Sequence, residues 1–70
     1  MPTYFVVLQE NSLETRVVYP LNCQESELIV EVNKICGNTQ HNTISDATEA
    51  LLDVDWNLTV IDTKSGKIVE

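Results

Sequence analysis

Tyr4-Phe5-Val6-Val7-Leu8 is apolar at every position, and no other feature of the chain constrains its fold as much. Side chains alternate across a strand, so Tyr4, Val6 and Leu8 point one way and Phe5 and Val7 the other. The β-branched and aromatic content suits a strand over Thr3 to Gln9. With both sets apolar, that strand is expected at the centre of a sheet or covered on both sides. In a chain of 70 residues only one small core is available, so the other elements must be arranged around it.

The remaining elements follow from periodicity. Glu10 to Glu14 reads as a turn, and Thr15 to Tyr19 returns as a second strand that Pro20 stops, because proline cannot donate to the ladder. Asn22 is placed to cap a helix, with Glu25 three residues on. Leu28, Val32, Ile35 and Cys36 form a helical stripe that Gly37 ends. The stiff residues Ile29, Val30 and Val32 work against helix, but the stripe decides. Gly37 to Thr43 carries no apolar side chain and predicts a loop, the most mobile part of the chain. Ser45 or Asp46 should cap a second helix, whose apolar stripe is Ala47, Ala50, Leu51 and Val54. Trp56 to Val60 alternates as a half-buried strand does, and a turn at Asp62–Gly66 precedes a last strand over Lys67 to Glu70. The expectation is an α+β fold in the order ββααββ. It makes one domain over residues 1–70, a small twisted antiparallel sheet with both helices packed on one face. Trp56, Leu58 and Val60 should share an interior with Leu51 and Leu28.

Charge narrows the function classes. Eleven Asp and Glu face four Lys and Arg, for a net charge of −7, and between Glu25 and Asp62 eight acids stand against the single base Lys34. The four bases, Arg16, Lys34, Lys64 and Lys67, lie apart with acids among them, which argues against direct nucleic-acid binding. Trp56, in an alternating strand, reads as core rather than as a stacking platform. Cys23, Cys36 and His41 contain no close pair of the kind zinc sites use, so neither a metal nor another cofactor is expected. Cys36 or Ser45 near His41 would need a third group to orient the imidazole, and the reading is of a protein that is not an enzyme. Asn57-Leu58-Thr59 matches the glycosylation triplet by chance in a strand. The N-terminus lacks a basic start and a cleavage site, and no apolar run spans a membrane. The expected location is the cytoplasm, with both thiols reduced.

The acids themselves carry the functional expectation. At 100° per residue, Asp46, Glu49 and Asp53 line one side of the second helix, clear of its apolar stripe. Glu27 and Glu31 form a similar edge on the first helix, with Glu25 at its start. Such acids keep a small protein soluble, or they dock on a basic surface in the manner of a nucleic-acid backbone.

The order of strand Tyr4 to Gln9, strand Thr15 to Tyr19 and a helix from Gln24 ending in Gly37-Asn38-Thr39 resembles small acidic phage-encoded inhibitors of host nucleic-acid enzymes. These are the uracil-DNA glycosylase inhibitors and the inhibitors of bacterial RNA polymerase. The Glu25-Ser26 step is similar to one that some glycosylase inhibitors use against the DNA groove of the enzyme. The resemblance implies a non-enzymatic protein that inhibits or modulates a larger partner with a basic surface. The resemblance covers residues 3 to 39 and brings in Glu25; with the acidic helix edges read above, the expected site residues are Glu25, Glu27, Glu31, Asp46, Glu49 and Asp53, acting in the host cytoplasm if the chain is phage-encoded. The rival expectation is a structural or assembly role, in which a homodimer forms through apolar surface or a sheet edge and the acids serve solubility alone.

Overall fold

The computed structural model describes residues 1–70 and contains three strands and two helices: β1 (Tyr4–Glu10), β2 (Thr15–Leu21), α1 (Glu25–Ile35), α2 (Ile44–Leu52) and β3 (Trp56–Asp62). The strands form one antiparallel sheet in the order β2-β1-β3, so the apolar strand is central. Tyr4, Val6 and Leu8 are buried under the helices, together with Leu58 and Val60 of β3. Leu28 and Val32 of α1 and Ile44 and Ala47 of α2 close the core from above. Phe5 and Val7 are half-buried on the other face, which no helix covers. Centrality in the sheet, and not a second layer, accounts for their partial shielding.

Backbone hydrogen bonds fix which strand residues look outward. The β1–β3 register extends to Thr3/Thr63 and Asn11/Asp55, where Thr63 N–H donates to Thr3 O at 3.1 Å and Asn11 N–H to Asp55 O at 3.0 Å. Alternation along an antiparallel ladder then turns the odd residues of β1 toward β3 and its even residues toward β2. In β2 the odd residues therefore bond to β1, and Arg16, Val18 and Pro20 turn their backbone groups away from the sheet. The outer edge of β3 is partly occupied by the C-terminal segment. Asp62 N–H donates to Lys67 O at 2.9 Å, Val69 N–H donates to Val60 O at 2.8 Å, and Ile61 bridges Ile68.

Several boundaries differ from expectation. The last strand reduces to that one bridge, giving ββααβ, because Lys67 to Glu70 is too short to hold a ladder of its own. β2 continues through Pro20, whose missing N–H falls on the solvent side of an edge strand and breaks no ladder bond. The residue before α1 is Gln24, not Asn22, and its side chain makes no capping bond. That entry is braced instead by Thr3, whose Oγ1 donates to Cys23 O at 2.9 Å and accepts from Cys23 N–H at 3.0 Å. Thr43, not Ser45 or Asp46, caps α2, its Oγ1 accepting from Asp46 N–H at 3.1 Å. The helix thus starts two to three residues earlier and buries Ile44, while Val54 falls beyond its end and is exposed. The Gly37–Thr43 loop is pinned by Asn33. The Asn33 Nδ2 donates to His41 O at 2.9 Å, and its Oδ1 accepts from His41 N–H at 3.1 Å and from Thr39 Oγ1 at 2.8 Å.

Candidate functional site: the acid-bearing helices

Both helices lie on the same side of the sheet, α2 against β3 and touching α1 only lightly. Glu25, Glu27, Asp46, Glu49 and Asp53 are exposed and Glu31 is half-buried. The only ion pair in the molecule joins Glu31 to Lys34 at 3.6 Å across one helical turn, a surface pair worth little to stability. The other five acids have no cationic partner.

The six do not have equal claims to a function. Glu25 and Glu27 sit in the first turn of α1 and Asp46 in the first turn of α2, where the positive end of the helix dipole favours carboxylates. Their placement is explained by helix stability alone. Glu49 and Asp53 are the reverse. Glu49 lies in the last turn of α2 and Asp53 at its C-cap, with no basic residue there to offset the negative end of the dipole. Each such charge costs about 0.3–1 kcal/mol. Helix stability does not explain these two.

Past the end of α2 is an apolar cleft of about 240 Å³, lined by Leu8, Ile35, Cys36, Leu51, Val54 and Trp56, whereas Glu49 faces a separate hollow shared with Leu58, Ile68 and Val69. Val54 stands between Asp53 and Asp55, so the cleft opens next to carboxylates. Asp55, which the sequence reading left out of the site, occupies the left-handed region at φ 64° and closes the approach to β3. It accepts from Asn11 N–H at its carbonyl and from Asn11 Nδ2 at its carboxylate, 3.4 Å away. The sequence carries no specific signal for it, since the left-handed backbone that sets Asp55 apart is visible only in the structure.

At the opposite end, Thr3, Tyr4, Cys23, Gln24, Glu25, Asp62 and Lys64 surround a polar hollow of about 400 Å³. Burial pushes the Cys23 thiol up, and Glu31 and Glu27 push it further. Burial does the same to Cys36. A thiol held protonated is a poor nucleophile and a poor metal ligand. Cys23 precedes α1 and Cys36 follows it, so the helix of about 16 Å holds the two thiols apart. Tyr4 is likewise held protonated, first by burial and then by Asp62, Glu25 and Cys23. No group of three or more metal-ligating side chains converges anywhere, and no helix is long and apolar enough to cross a membrane. No protein-family model matches the chain, and neither a curated protein nor a solved structure does.

Proposed function

We propose that this is a non-enzymatic binding protein that docks the acidic end of its helical layer on the basic surface of a larger protein. The partner class is a nucleic-acid enzyme, whose groove is built to receive regularly spaced negative charge. One observation carries the reading: Glu49 and Asp53 are exposed, unpaired and set against the dipole of their own helix, and Asp53 adjoins Val54 in the wall of an apolar cleft. Charges kept where they cost stability are the expected mark of a surface shaped for something else. The combination also matches the anatomy of protein interfaces, an apolar centre that takes an anchoring side chain and a polar rim. Asp46 extends the charged side by nearly one turn, to about two turns in all, and the acids of α1 add to the field that steers encounter.

The test uses purified basic enzymes of the class, a uracil-DNA glycosylase and a bacterial RNA polymerase, with uracil excision and transcription as readouts. The expected result is inhibition of one of them, weakening steeply between about 50 mM and about 300 mM salt. Replacing Asp46, Glu49 and Asp53 by Asn, Gln and Asn should slow association about tenfold or more and flatten the salt dependence, with the fold unchanged. Inhibition that survives the triple substitution at full rate refutes the acidic end as the docking surface. Indifference of both enzymes removes the named partner class.

A further inference from the structure

The β2 strand leaves a row of unsatisfied backbone groups at the sheet edge, and none of the 70 residues covers it. The opposite edge is partly capped by the C-terminal segment, and the helices cover one face of β1 and β3. On β2 the N–H and C=O of Arg16 and Val18 and the C=O of Pro20 point outward, by the alternation fixed above. Three successive side chains of the strand are exposed as well, Val17 at 46%, Val18 at 51% and Tyr19 at 37%. Exposed β-branched and aromatic residues on a free edge template the addition of another strand.

We propose that the occupant is β2 of a second copy, antiparallel about a two-fold axis at Val18, so that two three-stranded sheets join into one of six strands. The strand is complementary to itself in that register. Val18 meets Val18 of the second copy as a doubly hydrogen-bonded pair, and each Arg16 N–H reaches the Pro20 carbonyl across the dyad. The full strand from Thr15 to Leu21 overlaps its mate. The missing proline N–H falls near the two ends, where its loss costs least. Val17 lies opposite Tyr19, an aromatic and β-branched pairing that stabilises cross-strand contacts. No like charges oppose each other, since Arg16 faces Pro20.

Charge favours this edge over any other surface for pairing two chains of net −7. β2 is the one strand without an acid, and the six acids of the proposed site stand on the helices or, for Asp53, at the C-cap of α2. The contact between two seven-residue strands buries on the order of 700 Å² in total, below the ~1,200 Å² of a standard stable interface. The dimer is therefore weak and concentration-dependent.

Sedimentation of the wild-type chain from about 10 µM to about 1 mM should show monomer passing to dimer. Added salt should tighten the dimer by screening the net charge, opposite to its effect on the enzyme complex, so the two readings fail separately. The register is tested in a background with Cys23→Ser and Cys36→Ser. Val18→Cys should oxidise to a disulfide-linked dimer at least about tenfold faster than Asn57→Cys on β3, because directly paired Cα atoms at ~5.5 Å suit a disulfide. Val18→Lys, which opposes two ammonium groups at the dyad, should abolish dimerisation without loss of fold. A chain that stays monomeric at about 1 mM overturns the proposal. So does cross-linking of Val17→Cys in preference to Val18→Cys, since that places the axis elsewhere, and so does a Val18→Lys variant that dimerises like wild type.

Discussion

Replacing Leu28 by Ala should remove most of the stability of this domain. Leu28 of α1 belongs to the buried cluster that includes Val6, Val32 and Val60, and only 3% of its surface is exposed. Buried Leu→Ala substitutions cost about 2.7–5 kcal/mol, the loss rising with the cavity that remains. At ~0.05–0.15 kcal/mol per residue the whole domain holds on the order of 5 kcal/mol, so a loss of about 3 leaves roughly 2. With a urea slope of about 1 kcal/mol/M for so small a chain, the midpoint should fall by about 3 M. Trp56, the single tryptophan, is half-buried at the start of β3 and reports the transition by fluorescence. Val30→Ala supplies the contrast. Val30 lies two residues along the same helix, is 52% exposed, and gains helix propensity on substitution, so its midpoint should hold or rise slightly. A Leu28→Ala midpoint within about 1 M of wild type, or a Val30→Ala variant equally damaged, would refute the assignment of the core face of α1.

Asn33→Ala should cost about 1–2 kcal/mol in urea denaturation, because it frees three bonds to the Thr39–His41 loop; Asn33→Asp keeps both acceptor bonds and should lose less. Gly37→Ala should cost about 1–2 kcal/mol through its φ of +95° alone, as the added methyl meets nothing within 4 Å, and Gly37→Asn should cost less. Stability should fall at alkaline pH: Cys36, Cys23 and Tyr4 are pushed above ordinary values of 9.0, 9.0 and 10.0, so the folded chain holds protons that the unfolded chain releases. That contribution is complete below those values and is lost as pH rises past them. Urea midpoints taken from neutral pH to about pH 10.5 should decline, and Cys36→Ala should flatten part of the slope.

What was legible in the chain was what periodicity controls. A strand apolar in both parities is central, and a stripe at Leu28, Val32 and Ile35 faces a core. Both readings rest on patterns repeated over several residues. What was not legible depended on single long-range contacts. Thr3 braces the entry to α1 from twenty residues away in sequence, where a local signal favoured Asn22. Thr43 and Ser45 are equally good caps by composition, and only the burial of Ile44 chooses between them. The short Lys67–Glu70 segment has strand composition, yet length limits it to one bridge. For the candidate site, the six acids were legible as charges. Their inequality was not, because it depends on where α2 ends, and an apolar stripe that reaches Val54 gives no sign that the helix stops at Leu52.

The end of α2 also ties the acids to the stability of the domain. Had the helix run on through Val54, Glu49 would lie ahead of its last turn and Asp53 one residue short of its end, and Val54 would complete the apolar stripe. Ending at Leu52 instead releases Val54 into the wall of the cleft and leaves Asp53 on the last carbonyls. A positively charged residue at the C-cap would stabilise such an end by about 0.3–1 kcal/mol, and a glycine at position 55 would relieve its left-handed backbone. The chain has neither, although both substitutions lie within reach of an ordinary turn. Asp53→Lys with Asp55→Gly should therefore raise the urea midpoint while weakening whatever the acidic end binds. If the double variant is both more stable and equally able to inhibit the enzyme class proposed as partner, Asp53 and Asp55 have no docking role. The proposed dimer edge of β2, which carries no acid, would then be the better-supported contact surface.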